Sequence, residues 1–355
     1  IVSVSPDHGP LAGDDATVFT GNGFVGNTRF TKIFGGGTSN FGLSPEGKLY
    51  AWGGSSNGQL GTGGSGNYVV PTAVNVNGDL KGKTIANISA GNNHSLAVDT
   101  DGKAYAWGYN GNYQLGNGST SNQSSPILIS NYGALSGKTI KDISAGNNHS
   151  LALDSDGKVY AWGYNGNGQL GNGNTTQQNS PILISNYGIL SGKTIIAISA
   201  GGDHSLALDS DGKVYAWGHN GNGQLGDGSN TNRSLPVLVS GSGTSIEDVR
   251  IVAVSGGYNH SLALDSDGKV YAWGYNAQGQ LGIGDTVQQS SPILISDYGA
   301  LSGKTIKAIS AGNYHSLVLD INGDLYAWGQ NNSGQVYPGL DATILQPIAI
   351  KTYFS

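Results

Sequence analysis

Residues 149–173 read HSLALDSDGKVYAWGYNGNGQLGNG, and most of the chain is a variation on them. The stretch returns at 94–118 as HSLAVDTDGKAYAWGYNGNYQLGNG and again at 204–228, 260–284 and 315–339. A worn copy, SNFGLSPEGKLYAWGGSSNGQLGTG, stands at 39–63. The six tryptophans, Trp52, Trp107, Trp162, Trp217, Trp273 and Trp328, lie 55, 55, 55, 56 and 55 residues apart. A fixed period of this length marks a repeat architecture, which grows by adding units, so 355 residues do not imply two ordinary domains.

Each unit holds four strand-like segments. In the third unit these are 140–145, 149–154, 158–164 and 180–185. Ser155, Asp156 and Gly157 form a short hairpin between the second and third segments. A long polar loop, 165–179, joins the third to the fourth, and SNYGILSGKTI (185–195) leads into the next unit. Alternation puts His149, Leu151 and Leu153 on one face, and Tyr160 with Trp162 on one face of the following strand. No stretch keeps a 3.6-residue apolar period, so helices are short at most. Both faces of LALD and VYAW are apolar or small, as expected where a sheet is covered on both sides.

The expected fold is therefore all-β: a β-propeller of six four-stranded antiparallel blades over residues 29–355. The alternative is seven blades, with a composite seventh built partly from residues 1–28. That leading segment lies outside the period and is expected to form a short N-terminal β extension. The fourth unit departs at 240–254, where SGSGTSIEDVRIVAV replaces the usual connector and adds one residue.

Composition narrows the function. Charged residues make up 11% of the chain and the net charge is −6, with no Lys/Arg cluster to grip phosphates, so nucleic-acid binding is not expected. With no cysteine, disulfides and thiolate metal sites are excluded. No apolar run approaches the roughly 20 residues of a membrane-spanning helix, and membrane insertion is not expected. The chain has no methionine and opens on Ile1, which reads as a processed or excised product, and secretion is the expectation drawn from this. The expected setting is extracellular or cell-surface, in a prokaryote.

The pattern HSLAL-x-x-DG-x-VY-x-WG-x-N-x-x-GQLG resembles the regulator-of-chromosome-condensation repeat, a propeller family, over roughly residues 29–353. Members of that family usually have seven blades. The resemblance implies a propeller scaffold. It does not imply the family's nucleotide-exchange activity, because nothing like the irregular wedge of the exchange factor is inserted here. Residues 1–28 resemble the opening of an IPT/TIG domain at Val4, Pro6, Gly9, Pro10, Gly13, Thr20, Gly21 and Phe24, with the remaining strands of such a domain absent.

The recurrent polar residues belong to the scaffold. His94, His149, His204, His260 and His315 sit at one repeat position, and the first unit has Ser39 there, so a buried hydrogen-bonding role is expected over metal binding. The Asp-x-Asp-Gly turns, such as Asp154/Asp156, lack the further oxygen ligands of a calcium loop. No nucleophile–base pair, GxSxG, HExxH or phosphate loop appears, so neither a catalytic residue nor a cofactor is expected. What varies is the loop after each Trp-Gly. There Tyr109, Tyr164, His219, Tyr275 and Gln330 are followed by Asn110, Asn165, Asn220, Asn276 and Asn331, and these ten residues are the candidate ligand contacts. The expectation is a non-enzymatic surface propeller recognising a protein or a glycan in adhesion. The alternative is a structural subunit of an extracellular assembly or filament, self-associating through residues 1–28.

Overall fold

The computed structural model describes residues 30–240, 246 and 248–350. The IPT/TIG resemblance, the N-terminal β extension and the composite seventh blade fall on residues 1–28, outside the described part. Six separate four-stranded antiparallel sheets occur, each formed by four consecutive strands in sequence order, which gives an all-β fold: a β-propeller of six blades. In the third blade the strands are Ile140–Ala145, His149–Asp154, Val159–Gly163 and Gln178–Leu183.

The first two strands fall where the sequence puts them. The third is shorter by one residue at each end, and the fourth begins and ends two residues early. The reason lies in its pairing: Gly163 pairs with Gln178 after a register shift that follows Ala161. At the far end the Ser185 hydroxyl accepts from Val159 N at 2.7 Å, so a side chain replaces ladder pairing there. The fourth strands carry Pro126, Pro181, Pro236 and Pro292. Each lies at the edge of its sheet, the position where a residue without an N–H is tolerated. Among the described residues three one-turn 3-10 helices, Gly133–Leu135, Gly188–Leu190 and Gly299–Leu301, occupy connectors.

The chain divides into two compact units. One comprises residues 30–166 with 175–186, the other 167–174 with 187–350. Within the first unit, Phe41, Leu49 and Leu60 of the first blade pack against Ile88, Ala97, Tyr105 and Trp107 of the second. Leu96, Ala106 and Leu115 of the second pack against Ile143, Ala152, Tyr160 and Trp162 of the third. The second unit repeats this layer twice, with Leu206 and Leu225 against Ala263, Tyr271 and Trp273, then Leu262 and Leu281 against Val318, Tyr326 and Trp328. Alternation explains both layers. Leu96 and Ala97 are adjacent on one strand and point to opposite faces, each face meeting a different neighbour.

Trp52 departs from this, being only half-buried where the other five tryptophans are fully buried. Phe30 covers it instead, stacked at 5.9 Å with an interplanar angle of 17°.

Candidate functional site

The residues that look most chemical in the sequence are consumed by the scaffold. The Trp162 indole Nε1 donates to the Gln114 carbonyl at 2.8 Å, and the Ser150 hydroxyl donates to the same oxygen at 2.7 Å. His94 Nε2 lies 2.9 Å from that hydroxyl. Since the hydroxyl proton goes to the carbonyl, the imidazole is the donor, with its proton on Nε2. The same chain of groups links His260, Ser316, Gln280 O and Trp328, and also His204, Ser261 and Gln224 O. Burial pulls His94, His149 and His260 down to about 3 from an ordinary value of 6.5, so all three are neutral at pH 7. Five fully or largely buried imidazoles, each at a fixed place in its own blade, are scaffold groups. Among the described residues no cluster of three His, Asp or Glu side chains could hold a metal.

The Asp-Gly turns are equally committed. Asp154 Oδ1 accepts from Asp156 N at 2.9 Å and Lys158 N at 2.8 Å, and Oδ2 accepts from the Tyr160 hydroxyl at 2.7 Å. Burial, and then the carboxylate, hold that phenol protonated well above its ordinary range. The carboxylate closes a hairpin.

The two loops at one end of each sheet, after the first strand and after the third, are tied together by a backbone bond. Tyr109 N donates to Asn93 O, Tyr164 N to Asn148 O, His219 N to Asp203 O, Tyr275 N to Asn259 O and Gln330 N to Tyr314 O, all at 2.8–2.9 Å. The ten candidate contacts sit at this end, but they separate into two groups.

The five asparagines support their own loops. Asn110, Asn165, Asn220 and Asn276 are fully buried, and Asn331 is 4% exposed. Asn220 Nδ2 donates to Asp227 Oδ1, Ser229 O and Thr231 O at 3.0–3.1 Å, while its Oδ1 accepts from Leu225 N at 2.9 Å. Asn110, Asn276 and Asn331 hold their loops in the same way, and Asn165 Nδ2 donates to Thr176 O.

The preceding residues, Tyr109, Tyr164, His219, Tyr275 and Gln330, are half-buried and keep one side toward solvent. Tyr109 and Tyr164 fold back over Gly111 and Gly166, where an added Cβ would collide with the phenol. In the fifth blade Ala277 takes the glycine's place, and Tyr275 instead meets Tyr314 edge-on, with ring centroids 6.2 Å apart.

Beside these loops lie polar pairs that sequence reasoning missed. Gln114 Nε2 reaches toward Asn148 Oδ1 at 3.5 Å, Gln169 Nε2 bonds Asp203 Oδ1 at 3.2 Å, and Gln224 Nε2 bonds Asn259 Oδ1 at 3.2 Å. Gln224 Nε2 also lies 2.7 Å from His219 Nδ1, which is then the acceptor. Burial pushes the Asp203 carboxyl up, against the opposing pull of His219 and the Gln169 hydrogen bond. The signal was available: the residue before each repeat histidine changes from Asn93 and Asn148 to Asp203, Asn259 and Tyr314.

The sequence pattern of the RCC1-like domain matches residues 7–354. Among known proteins, the chain is 34% identical over 302 residues to the ultraviolet-B receptor UVR8 of Arabidopsis thaliana, a match that covers 85% of this chain and 65% of that protein. It is 32% identical over 323 residues to the E3 ubiquitin-protein ligase HERC2 of Homo sapiens, covering 90% of this chain and 6% of that protein. The chain thus spans just under two thirds of the receptor and a small part of the ligase. Human WBSCR16 superimposes with a TM-score of 0.79 at 22% identity, covering 93% of this chain and 83% of that one. Yeast RCC1 (Prp20), solved with Kap60 bound, gives 0.77 at 23% identity, covering 92% and 75%. At these identities the structural likeness is one of fold.

Proposed function

The chain belongs to the RCC1-like domain family, and from that membership we propose that it is a non-enzymatic scaffold for protein recognition, working through the blade ends where the paired loops lie. One observation carries this reading. The loop backbones are pinned from inside by buried asparagines, while the residue displayed in front of each pin varies and stays half-exposed. Loops ordered before contact lose little conformational entropy on binding. Tyr, His and Gln on such loops suit adaptable neutral contacts.

The structural relatives are consistent with a protein partner: yeast RCC1 was solved with Kap60, and Prp20p is described with binding to Gsp1p and histones. An extracellular or cell-surface setting, with adhesion as the outcome, is the finer form of the proposal. It rests on the low charge and the Tyr/Asn/Ser/Thr-rich loops.

The test replaces Tyr109, Tyr164, His219, Tyr275 and Gln330 together by serine. Cross-linked complexes recovered from the source cells with the intact chain should be lost with this variant, at a melting temperature within a few degrees of the parent. Retention of the same complexes would overturn the proposal.

A further inference from the structure

Tyr258, Tyr275 and Tyr314 break the repeat together. At the position two before the histidine, Asn92, Asn147 and Asn313 are matched by Tyr258, and at the position one before it, Asn93, Asn148 and Asn259 are matched by Tyr314. The three rings touch: Tyr258 and Tyr314 have centroids 5.5 Å apart at 45°, and Tyr314 and Tyr275 lie 6.2 Å apart at 64°. All three are half-buried, on the loop end of the fifth and sixth blades.

The second break is at Gln280. Gln280 is the counterpart of Gln114, Gln169 and Gln224, whose amide nitrogens reach Asn148, Asp203 and Asn259. The corresponding partner of Gln280 is Tyr314, whose side chain has no carbonyl, and Gln280 Nε2 is buried without a hydrogen-bond partner. Its orientation is not free, because Oε1 is held by Gln278 N at 3.0 Å. An unpaired buried amide is costly, and its persistence calls for an acceptor from elsewhere.

We propose that Tyr258, Tyr275 and Tyr314, with the Gln280 amide as donor, form a docking site for a proline-rich peptide segment in the polyproline II conformation. This deepens the protein-recognition reading above and rests on it. Three observations select this occupant. The segments that make the site, 256–260, 275–280 and 312–315, contain no Asp, Glu, Lys or Arg, so charged or phosphorylated peptides find no counter-charge. The rings are tilted against one another, and so form ridges and clefts into which pyrrolidine rings wedge, where a flat sugar platform would present one open face. A polyproline II backbone has all its carbonyls unsatisfied and solvated, and one of them is the acceptor that Gln280 lacks. Gln280 neighbours Tyr314, since a Cβ on Gly329 would meet both the Tyr314 carbonyl at 2.5 Å and the Gln280 Cα at 3.3 Å, and a peptide carbonyl would reach the buried amide by displacing the Tyr275 ring. Ala277 keeps that ring from folding back over its own loop as Tyr109 and Tyr164 do.

The test is a titration of fluorescein-labelled decaproline followed by anisotropy, with the intact chain and the variants Tyr314→Asn and Tyr258→Asn. Both variants insert the residue that other blades carry, and Tyr314→Asn gives Gln280 its acceptor back. Saturable decaproline binding is expected for the parent, weakened about tenfold or more in each variant. The melting temperature of Tyr314→Asn should stay level or rise. Absence of saturable binding, unchanged binding by Tyr314→Asn, or binding of cellohexaose in place of decaproline would overturn the proposal. Loss of decaproline binding in Tyr314→Asn together with full retention of the cross-linked partner would separate this site from the wider recognition surface. That outcome would overturn only its role in partner capture.

Discussion

At the scale of single residues, the buried histidines tie folding to protons. His94, His149 and His260 titrate near 3 in the folded chain, while an exposed histidine does so near 6.5. Their contribution to stability is therefore complete above about pH 6.5 and is lost as pH falls toward 3, because the unfolded chain binds more protons in that window. At pH 4.5 the loss is about 2–3 kcal/mol for each histidine, at 1.36 kcal/mol per unit of pKa. Guanidinium unfolding at pH 7 and pH 4.5 should show a steep fall in midpoint. In His94→Gln the fall should be smaller by one histidine's share. The glycine of the Gly-Gln-Leu-Gly turn offers a second residue-scale test. Gly171 has φ +75°, and a Cβ there would come within 2.8 Å of Trp217 Nε1. Gly171→Ala should cost about 2–4 kcal/mol, combining left-handed backbone strain with displacement of a fully buried indole, read as a lowered unfolding midpoint.

At the scale of the element, the loop after the third strand is rigid because one buried amide satisfies several backbone groups at once. Asn220→Ala should leave Ser229 O, Thr231 O and Leu225 N without that partner and cost about 1–3 kcal/mol. Limited proteolysis should then cut within residues 227–233, while the His204–Asp209 and Val214–Gly218 strands stay protected in hydrogen exchange. This element also shows what could be read from the sequence. The strands were legible because alternation and a repeated hairpin turn are local signals, so His149–Asp154 could be placed to the residue. The burial of Asn165 and its equivalents was not. A polar residue in a polar loop looks exposed in sequence, and only the folded loop shows its amide turned inward onto carbonyls eleven residues away. The tyrosines at 258 and 314 were visible as breaks in the repeat. Their meaning depended on contacts between separate blades, which sequence spacing does not report.

At the scale of the molecule, the scaffold and the recognition surface use different residues of one repeat. In the second to sixth blades Trp, His, Ser and the turn Asp point into the layers between sheets or close hairpins, and these blades use them in the same way. The residues that differ from blade to blade, Tyr109, Tyr164, His219, Tyr275 and Gln330 together with Asp203, Tyr258 and Tyr314, each lie at the loop end of their own sheet. The opposite end of each sheet carries the exposed hairpin residues Asp101, Asp156, Asp211 and Asp267, which are nearly uniform. A surface selected to recognise a partner is expected where the repeat varies. The most direct measurement of this places a photo-cross-linking amino acid at Tyr164 on the loop end, or at Asp156 on the hairpin end, of the intact chain in its own cells. A discrete cross-linked protein partner from position 164 and none from position 156 is the predicted result. Partner capture from 156 with none from 164 would contradict the account.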